Sequence, residues 1–183
     1  MATHSSLFNK LIDWHQAKHP DFDASNTPQS DSALCLTSLV TEILEPIENK
    51  LGSVSITYGF NSGTLNRYIQ RVSPKDTGPK EDQHASMELN LAGKRICQRE
   101  GAACDLLVEG YEQRMHLVAK FVAEHLPFDR LYFYGSSKPL HISFGPDHSR
   151  YIQYRKTRED GKRVLGKVIK LEQASVYFSN DIR

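Results

Sequence analysis

The sequence has no run of about 18 apolar residues, the length that spans a bilayer as a helix, so no membrane partner is expected. Residues 1–10 carry no positive segment followed by an apolar stretch, which predicts no signal peptide and a cytoplasmic location. Cysteine is scarce. Cys35, Cys97 and Cys104 are odd in number and have no C-x-x-C spacing, which argues against both a disulfide framework and a cysteine zinc site. No internal repeat is visible, no nucleic-acid motif appears, and strands and helices do not alternate regularly as a doubly wound fold requires.

What is present is ordinary globular composition, with 39% hydrophobic and 25% charged residues over 183 positions, which fits one domain with its own core. The net charge of +1 hides a basic C-terminal segment: Arg150, Arg155, Lys156, Arg158, Lys162, Arg163, Lys167 and Lys170. Asp160-Gly161 reads there as a turn between two strands whose charges face water. The same segment, with Tyr151, Tyr154 and Tyr177 as stacking surfaces, is also where a nucleic acid would bind.

Residues 7–14 read as a short amphipathic helix, a lid or a strap, followed by a polar loop over 22–32 that leads to a helix cap at Asp31 or Ser32. Leu36, Leu39, Val40, Ile43, Leu44 and Ile47 recur at helical spacing and predict a helix over 33–50, with Pro46 bending its last turn. After Gly52 the period falls to two, with Val54, Ile56 and Tyr58 on one side of a strand. Residues 59–82 read mostly as loop. Strands are expected over 102–108, 131–134 and 140–144, a helix over 111–126, and edge strands over 164–171 and 175–178. The expected fold is α+β, a small mixed or antiparallel sheet with helices packed on one face.

Polar residues on elements built for burial carry the chemical signal. Asp105 lies inside one apolar strand and His141 inside another, while Gln83-His84 ends the long loop. A buried carboxylate is costly unless it is paired or binds a metal. Two imidazoles with one carboxylate form a common open zinc site, and the set also suits iron. On the residues alone, a histidine in a strand is more often a hydrogen-bonded core residue than a ligand.

The order of segments adds a resemblance. A helix is followed by Val54-Ser55-Ile56-Thr57-Tyr58-Gly59-Phe60-Asn61-Ser62, then Gln83-His84, Gly101-Ala102-Ala103-Cys104-Asp105-Leu106 and Leu140-His141-Ile142-Ser143. This is similar to the Hedgehog/D-Ala-D-Ala peptidase superfamily of zinc carboxypeptidases and endopeptidases, with its "I-T-S-G-Y-R-S", "S-x-H-x-x-G-x-A-x-D" and "H-V-S" segments. The resemblance covers residues ~30–150 and implies the fold above, one Zn2+ held by His84, Asp105 and His141, and hydrolysis of a peptide or amide.

The departures are as specific. Twenty residues, 85–104, separate His84 from Asp105, so an insertion at about 85–100 is expected; Met87, Leu89, Leu91 and Ile96 would make it a helix over the site. The family's acidic general base, three residues before the last ligand, falls on Lys138, and its oxyanion arginine falls on Asn61. Asn61, Asp147 and His148 are the candidate catalytic replacements, with Glu81, Asp82, Arg67 and Arg71 as further options. The domain reading is an N-terminal helix and linker over 1–30, a metallopeptidase-like domain over 31–150 and a basic extension of it over 151–183. A zinc hydrolase is the leading expectation. A metal-holding module that binds a protein partner, and a nucleic-acid-associated protein, are the alternatives.

Overall fold

The computed structural model describes residues 5–78, 82–157 and 163–179. It is an α+β fold built on one six-stranded sheet. The strands are β1 (Val54–Tyr58), β2 (Ala102–Val108), β3 (Arg130–Phe133), β4 (Leu140–Phe144), β5 (Tyr151–Thr157) and β6 (Arg163–Ile169), in spatial order β1-β2-β4-β3-β5-β6. All neighbours are antiparallel except β3 and β5. The expected Asp160-Gly161 turn and Glu81 lie outside the described residues.

Alternation along the strands gives the sheet two unlike faces. Cys104, Leu106, Leu131, Phe133, Leu140, Ile142 and Ile152 form a buried apolar face. It is covered by α1 (Ser6–Asp13), which α2 (His15–Lys18) follows, and by the predicted long helix, which runs from α3 (Ser30–Leu39) through a π-helical turn (Val40–Leu44) to α4 (Glu45–Leu51). Leu36, Leu39, Ile43, Leu44 and Ile47 are almost fully buried, each contributing roughly 1.5–3 kcal/mol. The bend expected at Pro46 takes the form of the π turn. Pro46 has no N–H to give Glu42, and its ring would strike that carbonyl; widening the turn so that Glu45 N–H reaches Val40 O accommodates it.

The helix starts at Ser30, and neither Asp31 nor Ser32 is its cap. The acceptor comes from far along the chain. Glu88, 3% exposed, takes the Gln29 N–H and the Ser32 hydroxyl on Oε1, each at 2.9 Å, and the Gly63 N–H on Oε2 at 3.4 Å.

Three further expectations are corrected. Residues 63–72 form α5 (Gly63–Val72), capped by Ser62 Oγ on Leu65 N, where a loop was expected; Leu65 and Ile69 are its buried stripe. The 87–100 segment is irregular, with an isolated bridge between Leu89 and Arg95, and is no helix. After α6 (Met115–His125), residues expected as a last strand form α7 (Leu171–Tyr177), and its Ala174 and the C-cap residue Phe178, four apart, belong to the core. The N-terminal α1 is a strap and no lid: Leu7, Phe8 and Leu11 are core residues. Among the described residues no helix is long and apolar enough to cross a membrane.

Candidate metal centre

The polar face of the sheet carries one row of cross-strand neighbours: Tyr58, Asp105, His141, Tyr132, Gln153 and Val168, one from each strand. Tyr58 joins the row through an irregularity. Ile56 faces Leu106 but Tyr58 faces Asp105, so an extra residue in β1 turns Tyr58 away from the side it would share with Ile56. Simple alternation predicts the opposite face for it.

Above this row a 3-10 turn, Gln83–Ala85, brings in His84. The turn is held by the Gln83 side chain, whose Nε2 donates to Asp129 Oδ2 at 2.9 Å and to Glu100 O at 2.8 Å, and by Asn61 N–H, which donates to His84 O at 3.0 Å. His84, Asp105 and His141 thereby meet, with one ligand atom from each within 4.8 Å of the others. The three residues expected from the sequence are the three brought together.

Hydrogen bonds select the ligand atoms. His84 Nδ1 lies 3.2 Å from Gly59 O, an acceptor only, so Nδ1 carries the proton and Nε2 is the free nitrogen. Nε2 faces Asp105 Oδ1 at 3.6 Å, and His141 Nδ1 lies 2.8 Å from the same oxygen. A nitrogen lone pair and a carboxylate oxygen facing one another need a cation between them, a second imidazole proton or a metal ion. Burial alone would raise the Asp105 carboxyl, yet hydrogen bonds and charge from His141 and His84 hold it well below the usual carboxylate range. The donor set, two imidazole nitrogens and one carboxylate oxygen, could hold zinc or iron.

Aromatic rings wall the cluster. Tyr132 stacks on His141 with 4.8 Å between centroids, Arg155 lies over the far side of Tyr132 at 4.2 Å, and Tyr58 meets His84 edge-on at 4.6 Å. Burial pushes the Tyr58 hydroxyl up to about 12, so it is neutral. Tyr132 and Arg155 are not legible as site residues, because their place depends on strand register.

The candidate catalytic residues divide. Asn61 is 1% exposed and belongs to the site: Nδ2 donates to the Tyr58 hydroxyl at 2.8 Å. Asp147 and His148 are not brought to it. Both are exposed beyond the far end of β4, three or more strand residues or roughly 10 Å from His141. His148 instead packs on Phe144, with Nδ1 3.2 Å from Pro127 O. Lys138 is exposed in the turn before β4. Asp82, buried two residues before His84, is the carboxylate that lines the adjoining cleft. Of the stacking surfaces expected for a nucleic acid, Tyr154 and Tyr177 pack against the core and Tyr151 is covered by Arg130 at 4.6 Å.

Gly59 shows how closely the N-terminal strap controls the site. A Cβ there would run into Leu11 O and stand 2.7 Å from Trp14 Cδ1. Trp14 Nε1 and Asn26 Nδ2 both donate to Phe60 O, at 2.8 and 2.9 Å, pinning the next residue. Gly59→Ala should therefore cost about 2–3 kcal/mol, a fall of roughly 8 °C in melting temperature. Because it also displaces the carbonyl that orients His84, metal affinity should drop about 10–100-fold. Calorimetry and metal titration of the one variant check both effects.

Comparison with protein-family models, with curated proteins and with solved structures returns no match for this chain.

Proposed function

We propose that the chain is a zinc-dependent hydrolase of the D-Ala-D-Ala peptidase type, acting on a peptide or amide. The observation that carries this reading is the meeting of His84, Asp105 and His141, with one ligand atom of each within 4.8 Å of the others, at a place where His84 also lines a cleft of about 560 Å3. Zinc bound there supplies a Lewis acid for a substrate carbonyl. His84, Asp105 and His141 would hold the ion. Gly59 O and the Tyr132 ring fix the orientation of the two imidazoles. Asn61 holds His84 through its backbone and Tyr58 through its side chain, so its task is positioning, which an arginine at that place would not perform in the same way.

One observation favours a second reading, a metal-holding module that binds a partner without hydrolysis. The position of the family's general base is an exposed lysine, and Asp147 and His148 stand away from the triad. Zinc-loaded protein incubated with a panel of N-blocked and free peptides, followed by mass spectrometry, separates the two. Hydrolysis that is lost in His141→Ala and on chelation supports the enzyme. A full zinc complement with every peptide intact overturns it in favour of the module.

A further inference from the structure

The cleft beside His84 has walls of two origins. One is α5, with Arg67 and Gln70; the other is the segment inserted between the first and second ligands, with Lys94 and Arg95. Among the described residues, the charged side chains lining it besides His84 are the cationic Arg67, Lys94 and Arg95 and the acidic Asp82. Carboxamides supply much of the remaining polar lining, so the cleft combines positive potential with neutral hydrogen-bonding groups.

Arg95 differs from an ordinary surface cation because it is held in place. Its Nη2 donates to Arg99 O at 3.1 Å and to Ser86 O at 3.5 Å, while its ion pair with the exposed Glu100 is long, at 3.9 Å. Its Nε is buried with no hydrogen-bond partner. A guanidinium fixed by backbone carbonyls and weakly neutralised keeps most of its field for a ligand, and its planar fork matches carboxylate and phosphate oxygens. Arg67 approaches from the facing helix and donates to Thr64 Oγ1 at 3.4 Å.

We propose that this cleft is an anion-recognition subsite, and that the molecule presented to His84, Asp105 and His141 carries a carboxylate or a phosphate. Anion binding stands by itself; its service to a reaction rests on the hydrolase reading. The inserted segment thus forms a recognition wall.

The test is NMR on the full chain, as purified and after chelation, following backbone amides and arginine Nε–H signals. Inorganic phosphate and acetate are added separately, with sodium chloride at matched ionic strength as control. Saturable shifts of Arg67 and Arg95 are expected from phosphate or acetate and not from chloride, with or without metal. Phosphate alone would indicate a phosphorylated substrate and acetate alone a carboxylate. Combined replacement of the exposed Arg67 and Lys94 by alanine should weaken binding at least about tenfold and leave zinc content unchanged. Equal shifts in that variant, shifts confined to β5 and β6, or no saturation would overturn the subsite. None of these bears on the metal, so the two readings fail independently.

Discussion

Asp105→Asn should fold and yet bind zinc about a thousandfold more weakly than the wild type. The asparagine oxygen can still accept from His141 Nδ1, 2.8 Å away in the native site, so the strand pair β2/β4 keeps its shape. What is lost is the negative charge facing two imidazole nitrogens in a site where Asp105 is only 17% exposed. Removing one partner of a buried charge interaction costs about 4 kcal/mol, which is about three powers of ten in affinity. Asp105→Ala should bind no better and should be less stable, because His141 Nδ1 then loses its acceptor. Competition titration against a chromophoric chelator gives the affinities, and circular dichroism confirms the fold. An affinity for Asp105→Asn within tenfold of wild type would mean that the carboxylate is a structural partner of His141 alone.

Glu88→Ala should be the most destabilising single change outside the apolar core. The side chain joins three separate elements: the start of α3 through Gln29 and Ser32, the start of α5 through Gly63, and the irregular 87–100 segment on which it sits. Alanine leaves the part-buried Gln29 N–H, the buried Gly63 N–H and the buried Ser32 hydroxyl without this acceptor. At about 1 kcal/mol or more for each bond to a charged acceptor, the loss is about 3–4 kcal/mol, a fall of roughly 10 °C in melting temperature. Glu88→Gln should lose about half as much. It keeps the Oε1 acceptor but turns an amide donor toward the Gly63 N–H. Urea or thermal unfolding of the three proteins measures this, and a change below about 0.5 kcal/mol for alanine would show that water replaces the carboxylate.

The parts of the structure that could be read from the sequence are those specified by local periodicity. Six aliphatic residues from Leu36 to Ile47 define the central helix, and the apolar setting of Asp105 and His141 marks them as chemically unusual. Nonlocal partners explain what was missed. Glu88 caps a helix 59 residues before it, so no cap is visible next to Ser30. The bulge that turns Tyr58 toward Asp105 breaks the strand alternation by one residue. Tyr132 and Arg155 reach the site only because β3 lies beside β4 and β5 beside β3, an order set by the whole sheet. α5 is largely polar, with Leu65 and Ile69 as its main buried anchors, and begins at a glycine, which weakens its helical signal. Residues 87–100 include helix formers but are fixed by the contacts of Glu88 with Ser32 and of Arg95 with Ser86 and Arg99, and these override local propensity.

The most direct measurement is the metal content of the purified full chain by elemental mass spectrometry, beside His84→Ala and His141→Ala. About one zinc or iron per chain in the wild type, and none in variants with native circular dichroism, is the predicted result. A wild type that carries no metal and takes up none on titration would contradict the metal centre, and with it the proposed hydrolase.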